Sequence, residues 1–531
     1  MPWKGRIYMI KKRLKGMTTV IVAVALVMSL VGCGGRNKEE GDESADGRKK
    51  VEIAYWNSGL GTDFLEAMIK AFNEKQDDYY VTYRATASSS ALMAGFGEED
   101  TDTTDLYLNI KDYDTSKLEP LDDVLDSVVS GENVALKEKF IANYLDYEKA
   151  GDGHYYTLTY GGGTLGIVYN KELFKKAGIT ATPRTTNELA TVCDTLLEAG
   201  ITPWTHYSGG GTGGGYWTYL LTFWQEQYDG EEYFLNNFYG CTDLNGNSPS
   251  KDVFTAKDGR YQAMKATEKF ITPEYVYNGS NSQDHITMQT LFLNKDIGMV
   301  VNGAWMVNEM KDTDGDKDKF AVMKTPVISA ITDKLSTVKS DIELRELISA
   351  VDAVTDGKAE ISEYQTEDQY LVKGKTISKE DWEYVYNARN MVPFQNPAQS
   401  LFIPSYSDNI AGAKEFLKFF YSDEGYQIFT SISHMALPLR LSAGEIDTSG
   451  WNDFERTMFD MATYAEKYSS DAISSKHAIF IGGGATPYAS YPFITHFCSN
   501  NSNDRVSADE AWDAIMKKVD SQYDSWLANI E

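Results

Sequence analysis

With 78 acidic side chains and only 6 histidines, this 531-residue chain offers carboxylates for acid–base chemistry before anything else. Cleaving a glycoside would need two of them facing each other across about 5–10 Å. The adjacent pairs Glu98/Glu99 and Asp122/Asp123 nominate no such site, because sequence neighbours do not share a helix face. The chain contains no GxSxG elbow, HExxH zinc motif or nucleotide fingerprint. DTDGDKD at 312–318 begins like a calcium loop, yet Lys317 stands where the sixth-position glycine belongs and Met323 at the twelfth position, so it reads as a solvated turn. The histidines show no metal spacing, and His206, flanking a strand end with Trp204, reads as a hydrogen-bonded structural residue. Neither a metal nor a cofactor is expected.

The pattern that does stand out is suited to binding. Residues 205–219 read THYSGGGTGGGYWTY, six glycines in seven positions followed by Tyr216, Trp217 and Tyr219. A phosphate cradle would continue Gly-Lys-Ser/Thr, and here rings follow. A linker would run into polar sequence, whereas YWTYLLTFW continues apolar and helical, with Leu220, Leu221 and Phe223 available for a core. The remaining reading is a ligand-facing loop, its glycines letting backbone approach a ligand and Tyr216 or Trp217 supplying a flat stacking face.

Composition narrows the partner. A hydrophobic content of 42% with 13% aromatics supports well-buried cores in a globular protein, and the length suggests two to three compact units. A net charge of −28 argues against nucleic acid or a broad anionic bilayer surface. At the N-terminus, Lys11, Lys12, Arg13 and Lys15 precede an apolar run, Val20 to Val31, of signal-peptide length. Leu30, Val31, Gly32 and Cys33 resemble a bacterial lipobox, which implies cleavage before Cys33, acylation of its thiol and membrane contact through that anchor alone. Either Met1 or Met9 fits as the start. Residues 33–50 are almost free of apolar side chains and read as a solvated tether. Cys193, Cys241 and Cys498 are too scattered for a CxxC motif, and their disulfide state is open.

The elements that must position a site begin at VEIAYWN, 51–57, an alternating strand. A helix follows, with Thr62 as N-cap and Phe64, Leu65, Met68, Ile69 and Phe72 on one face. YYVTYRATA and DLYLN then read as strands. Strand, helix, strand predicts an α/β fold with a mostly parallel sheet whose ligand crevice lies beyond the strands' carboxyl ends, at Asn57, Ser58, Asn109 and Asp112. Tyr155–Tyr160 and Leu165–Tyr169 are extended pieces flanking Gly161, Gly162 and Gly163, which let the chain bend or cross between domains. Asn170 caps a short helix, and Pro183 and Thr185 precede another.

Several segments, taken in order, resemble the extracellular solute-binding protein family 1, the sugar-binding lipoproteins of ABC importers related to maltodextrin-binding protein. They are the Tyr-Tyr strand and glycine crossing, VYNKELFKKAGI, PRTTNEL, ITPWTH at 201–206, FLNKDIGMVVNGAWMVNEM at 292–310, and the helix pair and Leu-Pro return at 402–440. The resemblance covers Val51 to the C-terminus, except that Ser329–Glu383 is longer than the family's link there. It implies a two-lobed α/β binding-protein fold with hinge-crossing segments: lobe I from 51–160 and 396–440, lobe II from 161–395 and 441–531. It further implies a monomeric, non-enzymatic carrier that encloses a mono- or oligosaccharide and delivers it to an ABC permease.

A pyranose asks for flat rings against its C–H faces and planar polar groups at its rim. By the family's pattern Trp305, after Asn302 and Gly303, faces the sugar, and Tyr491 supplies a ring from the C-terminal part. Asn109 and Asp112 stand where the family places an aromatic and a carboxylate, so the Asn departs from maltodextrin-type sites. Tyr160 borders the crossing, where a ligand-facing ring is one reading and core packing the better one. Two other classes remain open: a lipid-anchored glycan-cleaving enzyme, and a binder of polyamines or other small solutes, which would need an aromatic box with two or more carboxylates.

Overall fold

The computed structural model describes residues 47–57, 60–109, 114–141, 144–160, 164–240, 250–310, 313, 316–393, 400–463, 467–469, 478–481 and 483–530. Among them, two sheets are built from β1 Lys49–Trp56, β2 Tyr79–Thr86, β3 Leu106–Leu108, β4 Leu158–Thr159, β5 Leu165–Asn170, β6 Thr202–Thr205, β7 Ile297–Gly303, β8 Phe320–Met323 and β9 Ser400–Phe402. The first sheet runs β2-β1-β3-β9-β4 and the second β6-β7-β5-β8; the part built on the first is termed lobe I and the part built on the second lobe II.

In lobe I, β1 is parallel to both β2 and β3, with Ile53 opposite Tyr83 on one side and Leu106 on the other. Strand β9 returns antiparallel between β3 and β4. Helix Asp63–Lys75 covers the sheet with the five residues that the sequence pattern selects, Phe64, Leu65, Met68, Ile69 and Phe72. Phe64 meets Tyr55 and Phe429 edge-on at 5.8 and 5.2 Å, a geometry that places positive ring edges on negative faces. One local expectation fails: the Thr62 hydroxyl donates to Glu66 Oε1 at 3.1 Å and makes no side-chain cap bond. Asn170 does cap its helix, accepting from the N–H groups of Glu172 and Leu173 at 3.1 Å.

In lobe II, β6 and β7 are parallel and β5 antiparallel to both β7 and β8, so the sheet is mixed. Helices Thr186–Glu198, Trp217–Asp229 and Gly259–Glu268 join its core, and the closing helix Ala508–Ala528 adds Trp512, Ile515, Val519, Tyr523 and Trp526. The long segment after residue 329 is a unit on this lobe: helix Asp341–Thr355, a three-stranded antiparallel sheet within 365–378, and helix Lys379–Asn390. Tyr370 stacks on Trp382 at 4.2 Å, and Asp352 joins Lys324 and Arg389 with its carboxyl held below its usual range, both cations outweighing the burial that opposes them. Cys193 and Cys498 are free, buried thiols. No described helix is long and apolar enough to cross a membrane.

Two connections between lobes can be followed. Thr159 ends β4 in lobe I, and Thr164, five residues on, accepts a bond from Ala304 N–H of lobe II. Five residues reach at most about 18 Å, so the rims on either side of this crossing are held close. The second runs from helix Asp423–Ser433, packed on lobe I, to helix Asp453–Thr463, whose Thr457 hydroxyl accepts from Val322 N–H of β8. His434 ends the first of these helices at φ 54°, stacks on Trp451 at 4.5 Å and lies 3.2 Å from Glu455 of the second.

Candidate functional site

The carboxyl ends of β1, β2 and β3 form the lobe I rim. Trp56 closes β1 half-buried, donating its indole N–H to Ala87 O at 3.1 Å. Asn109 follows β3 at φ 68°, a left-handed conformation that Asn tolerates better than most residues. It is buried, its N–H donating to Ser400 O at 2.6 Å and its Nδ2 to Trp56 O at 2.7 Å, so it ties the end of β1 to the start of β9. Asn57 closes the turn after β1 by accepting from Gly61 N–H at 3.1 Å. Ser58 and Asp112 lie outside the described residues, as does Cys33. Tyr160 is fully buried in the lobe I core against Phe64, Phe420 and Phe429, so its ring is a packing element and not a sugar platform.

On lobe II, three half-buried rings form a row. Tyr207 meets Tyr216 edge-on at 4.9 Å, Tyr216 meets Trp305 at 5.0 Å, and the Trp305 indole donates to the Tyr216 hydroxyl at 3.1 Å. This bond fixes the indole plane. Burial raises both phenols above their ordinary pKa, and Glu309 adds to the effect, so both stay protonated at neutral pH. The Asn-Gly-x-Trp spacing has a steric reason: a Cβ on Gly303 would sit 2.3 Å from the Trp305 ring, which folds back over that glycine.

The glycine run is explained by the same contacts. Gly209 and Gly215 lie against opposite edges of Tyr207, and a Cβ on either would come within 2.2 Å of its ring. Gly213 and Gly214 meet Pro492, Thr495 and Ile494, and Ile494 N–H donates to Thr212 O at 3.0 Å. At these four positions the close approach that glycine allows is to the protein's own rings and C-terminal segment, whereas Gly210 and Gly211 are exposed, with no neighbour closer than 3.4 Å to a Cβ.

Trp217 also requires correction. It is 1% exposed and packs in the lobe II core against Trp204 at 5.0 Å and Phe270 at 5.9 Å, so it has no free face for a ligand. Tyr216, one residue earlier, precedes the helix and meets Tyr207 and Trp305 instead. Tyr491 is half-buried but stacks on His496 at 5.4 Å, with Lys518 Nζ 5.7 Å from its centroid, apart from the row. His206 is buried and bonded to Asn281 Oδ1 at 2.8 Å, and burial pushes its pKa down to about 4.

Three members of the site escape the sequence reading: Trp56, Tyr207 and Glu309. The strand-end rule points to Trp56, one position before Asn57, and Tyr207 directly precedes the glycine run. Glu309 sits four residues after Trp305 on helix Trp305–Glu309, and thus on its face. No group of three or more His, Cys, Asp or Glu side chains among the described residues is placed to hold a metal ion. Of the carboxylate pairs, Asp122 contacts His154 and Asp123 pairs with Lys414, both as surface links.

Two lobes, each with its own sheet, and a row of half-buried rings next to the crossing at Thr164 are the features of a solute-binding architecture. The chain belongs to the family described as bacterial extracellular solute-binding protein, whose match spans residues 58–341. Comparison with curated proteins gives no match. Among solved structures, the bacterial solute receptor AcbH, whose reported substrate preference is β-D-galactopyranose, is 14% identical with a TM-score of 0.58, over 90% of this chain and 98% of that one. The cyclic α-maltosyl-1,6-maltose binding protein of Arthrobacter globiformis is 16% identical, with a TM-score of 0.55 over 90% and 99%. RafE in complex with raffinose is 11% identical, with a TM-score of 0.53 over 90% and 99%. At these identities the likeness is one of fold.

Proposed function

We propose that the protein captures a mono- or oligosaccharide between its lobes, closes around it by bending at the crossings, and presents it to an ABC importer permease. The observation that carries this reading is the row Tyr207–Tyr216–Trp305, half-buried and held in orientation by the indole-to-hydroxyl bond. Flat rings bury a sugar's C–H face at low entropic cost, while rim groups sort its hydroxyls, an unpaired one costing about 1–3 kcal/mol. The solute receptors of similar fold named above bind sugars, which supports the same class here. Rigid lobes joined by short segments suit hinge closure, and the closed form is what a permease distinguishes from the open one.

On this reading the chain carries out no covalent step and acts as a monomer, anchored outside the cytoplasmic membrane through acylated Cys33 and the tether to residue 50. Lobe I takes residues 51–160 and 396–440, lobe II residues 161–395 and 441–531; Asn57, Ser58 and Asp112 border the ligand from lobe I, while the fully buried Asn109 braces that rim. A thermal-shift screen with neutral oligosaccharides tests the reading. A binder present at 100 times its Kd adds about 2.7 kcal/mol of stability, readily seen as a raised Tm. No shift with any saccharide, or hydrolysis of one, would contradict it.

A further inference from the structure

Beside the lobe II row stands a carboxylate, Glu309, which can accept from sugar hydroxyls and also carries a charge. Glu309 and Trp305 lie at i and i+4 of one short helix, so the carboxylate stands beside the indole. The carboxylate is half-buried, and the fully buried Gln289 donates its Nε2 to Glu309 Oε2 at 2.8 Å. A carboxylate only accepts, so it fixes the orientation of the Gln289 amide, which in turn holds the carboxylate in place. Among the described ion pairs Glu309 takes part in none, and a carboxylate with about four acceptor sites has bonded one. Without an ion-pair partner, the carboxylate acts on the two tyrosines of the row, raising the pKa of Tyr207 and Tyr216 in addition to their burial.

Resting on the saccharide reading above, we propose that Glu309 sets the charge class of the ligand: the site takes uncharged or amine-bearing saccharides and rejects those carrying a carboxylate. Two like charges a few ångströms apart in a partly desolvated cleft repel strongly enough to cost about tenfold or more in affinity. The chain's net charge of −28 repels anions as well, but at 0.15 M salt that distant field is screened within about 8 Å, leaving the local carboxylate to decide.

The test compares wild type and Glu309→Gln at 0.15 M salt by intrinsic tryptophan fluorescence. The ligands are the neutral saccharide with the largest thermal shift in the screen above and the same saccharide oxidised at C6 to the uronate. The Gln289 bond survives in the variant, since an amide oxygen accepts as well, and an unchanged Tm confirms an intact fold. Wild type is expected to bind the uronate at least tenfold more weakly than its neutral parent, and Glu309→Gln to narrow that gap about fivefold or more. Equal affinity of wild type for both ligands, or an unchanged gap in the variant, overturns the proposal. A screen in which no saccharide binds overturns the underlying reading and this one with it, an outcome distinct from the other two.

Discussion

Two aromatic clusters meet at the start of helix Trp217–Asp229. Trp204, Trp217, Trp224 and Phe270 are fully enclosed, ring against ring. Tyr207, Tyr216 and Trp305 are half-buried and carry a side-chain hydrogen bond between two of their members. Composition does not distinguish the clusters, since each contains the large rings that binding sites favour. What separates them is the backbone: the glycine run brings the chain into the helix so that consecutive residues, Tyr216 and Trp217, join different clusters. A half-buried ring at the lip of a crossing is set up for binding; a fully enclosed ring is set up for stability, even where its indole N–H is bonded, as those of Trp204 and Trp224 are to Cys193 Sγ and Pro326 O.

That contrast can be broken most forcefully at Trp217. Trp217→Ala should cost about 3–5 kcal/mol of unfolding free energy in urea titrations, while the folded fraction binds ligand as wild type does. Full stability with lost binding would mean that the clusters have been assigned the wrong way round.

Protonation probes the enclosed side from another direction. The folded-state pKa of His206 is about 4, below its ordinary 6.5, so its neutral form is the one the fold accepts. The unfolded chain binds the proton first, and this contribution to stability is complete above pH 6.5 and lost as pH falls toward 4, by about 3 kcal/mol. His206→Gln should flatten that part of the stability profile.

The glycines sharpen the comparison where the clusters join. At Gly215, φ 58° and a Cβ 2.2 Å from Tyr207 predict that Gly215→Ala costs about 1–3 kcal/mol and weakens binding by displacing that ring. Gly357, at φ 65° with nothing within 4 Å of a Cβ, is the control: Gly357→Ala carries the backbone strain alone and should leave binding untouched. The smallest effect belongs to Tyr216→Phe, which removes the acceptor for the Trp305 indole. Its cost is about 1 kcal/mol, read as a severalfold loss of affinity with little change in Tm.

Much of the fold is legible in the sequence because local pattern and tertiary environment agree there. Phe64, Leu65, Met68, Ile69 and Phe72 repeat at helical spacing and are the residues that the helix buries. Asn170 and Thr185 are polar residues at helix starts and do cap them. The binding rim is less legible because it depends on contacts between distant segments. Nothing local to Gly209 or Gly215 announces that they make room for Tyr207, nor that Gly213 and Gly214 seat the 492–495 segment. Tyr160 and Trp217 carry the same residue types as a sugar platform and differ only in what surrounds them. Glu309 is hidden among 78 acidic residues, and only helix register brings it to Trp305.

The central claim is that the half-buried aromatic row, and not the neighbouring aromatic core, holds the ligand. Thermal shift of Trp305→Ala beside wild type, with the best saccharide of the screen, tests it most directly. The account predicts a variant whose ligand-free Tm lies close to that of wild type and whose affinity is about 10–100-fold lower. A variant that binds the saccharide as tightly as wild type would contradict it.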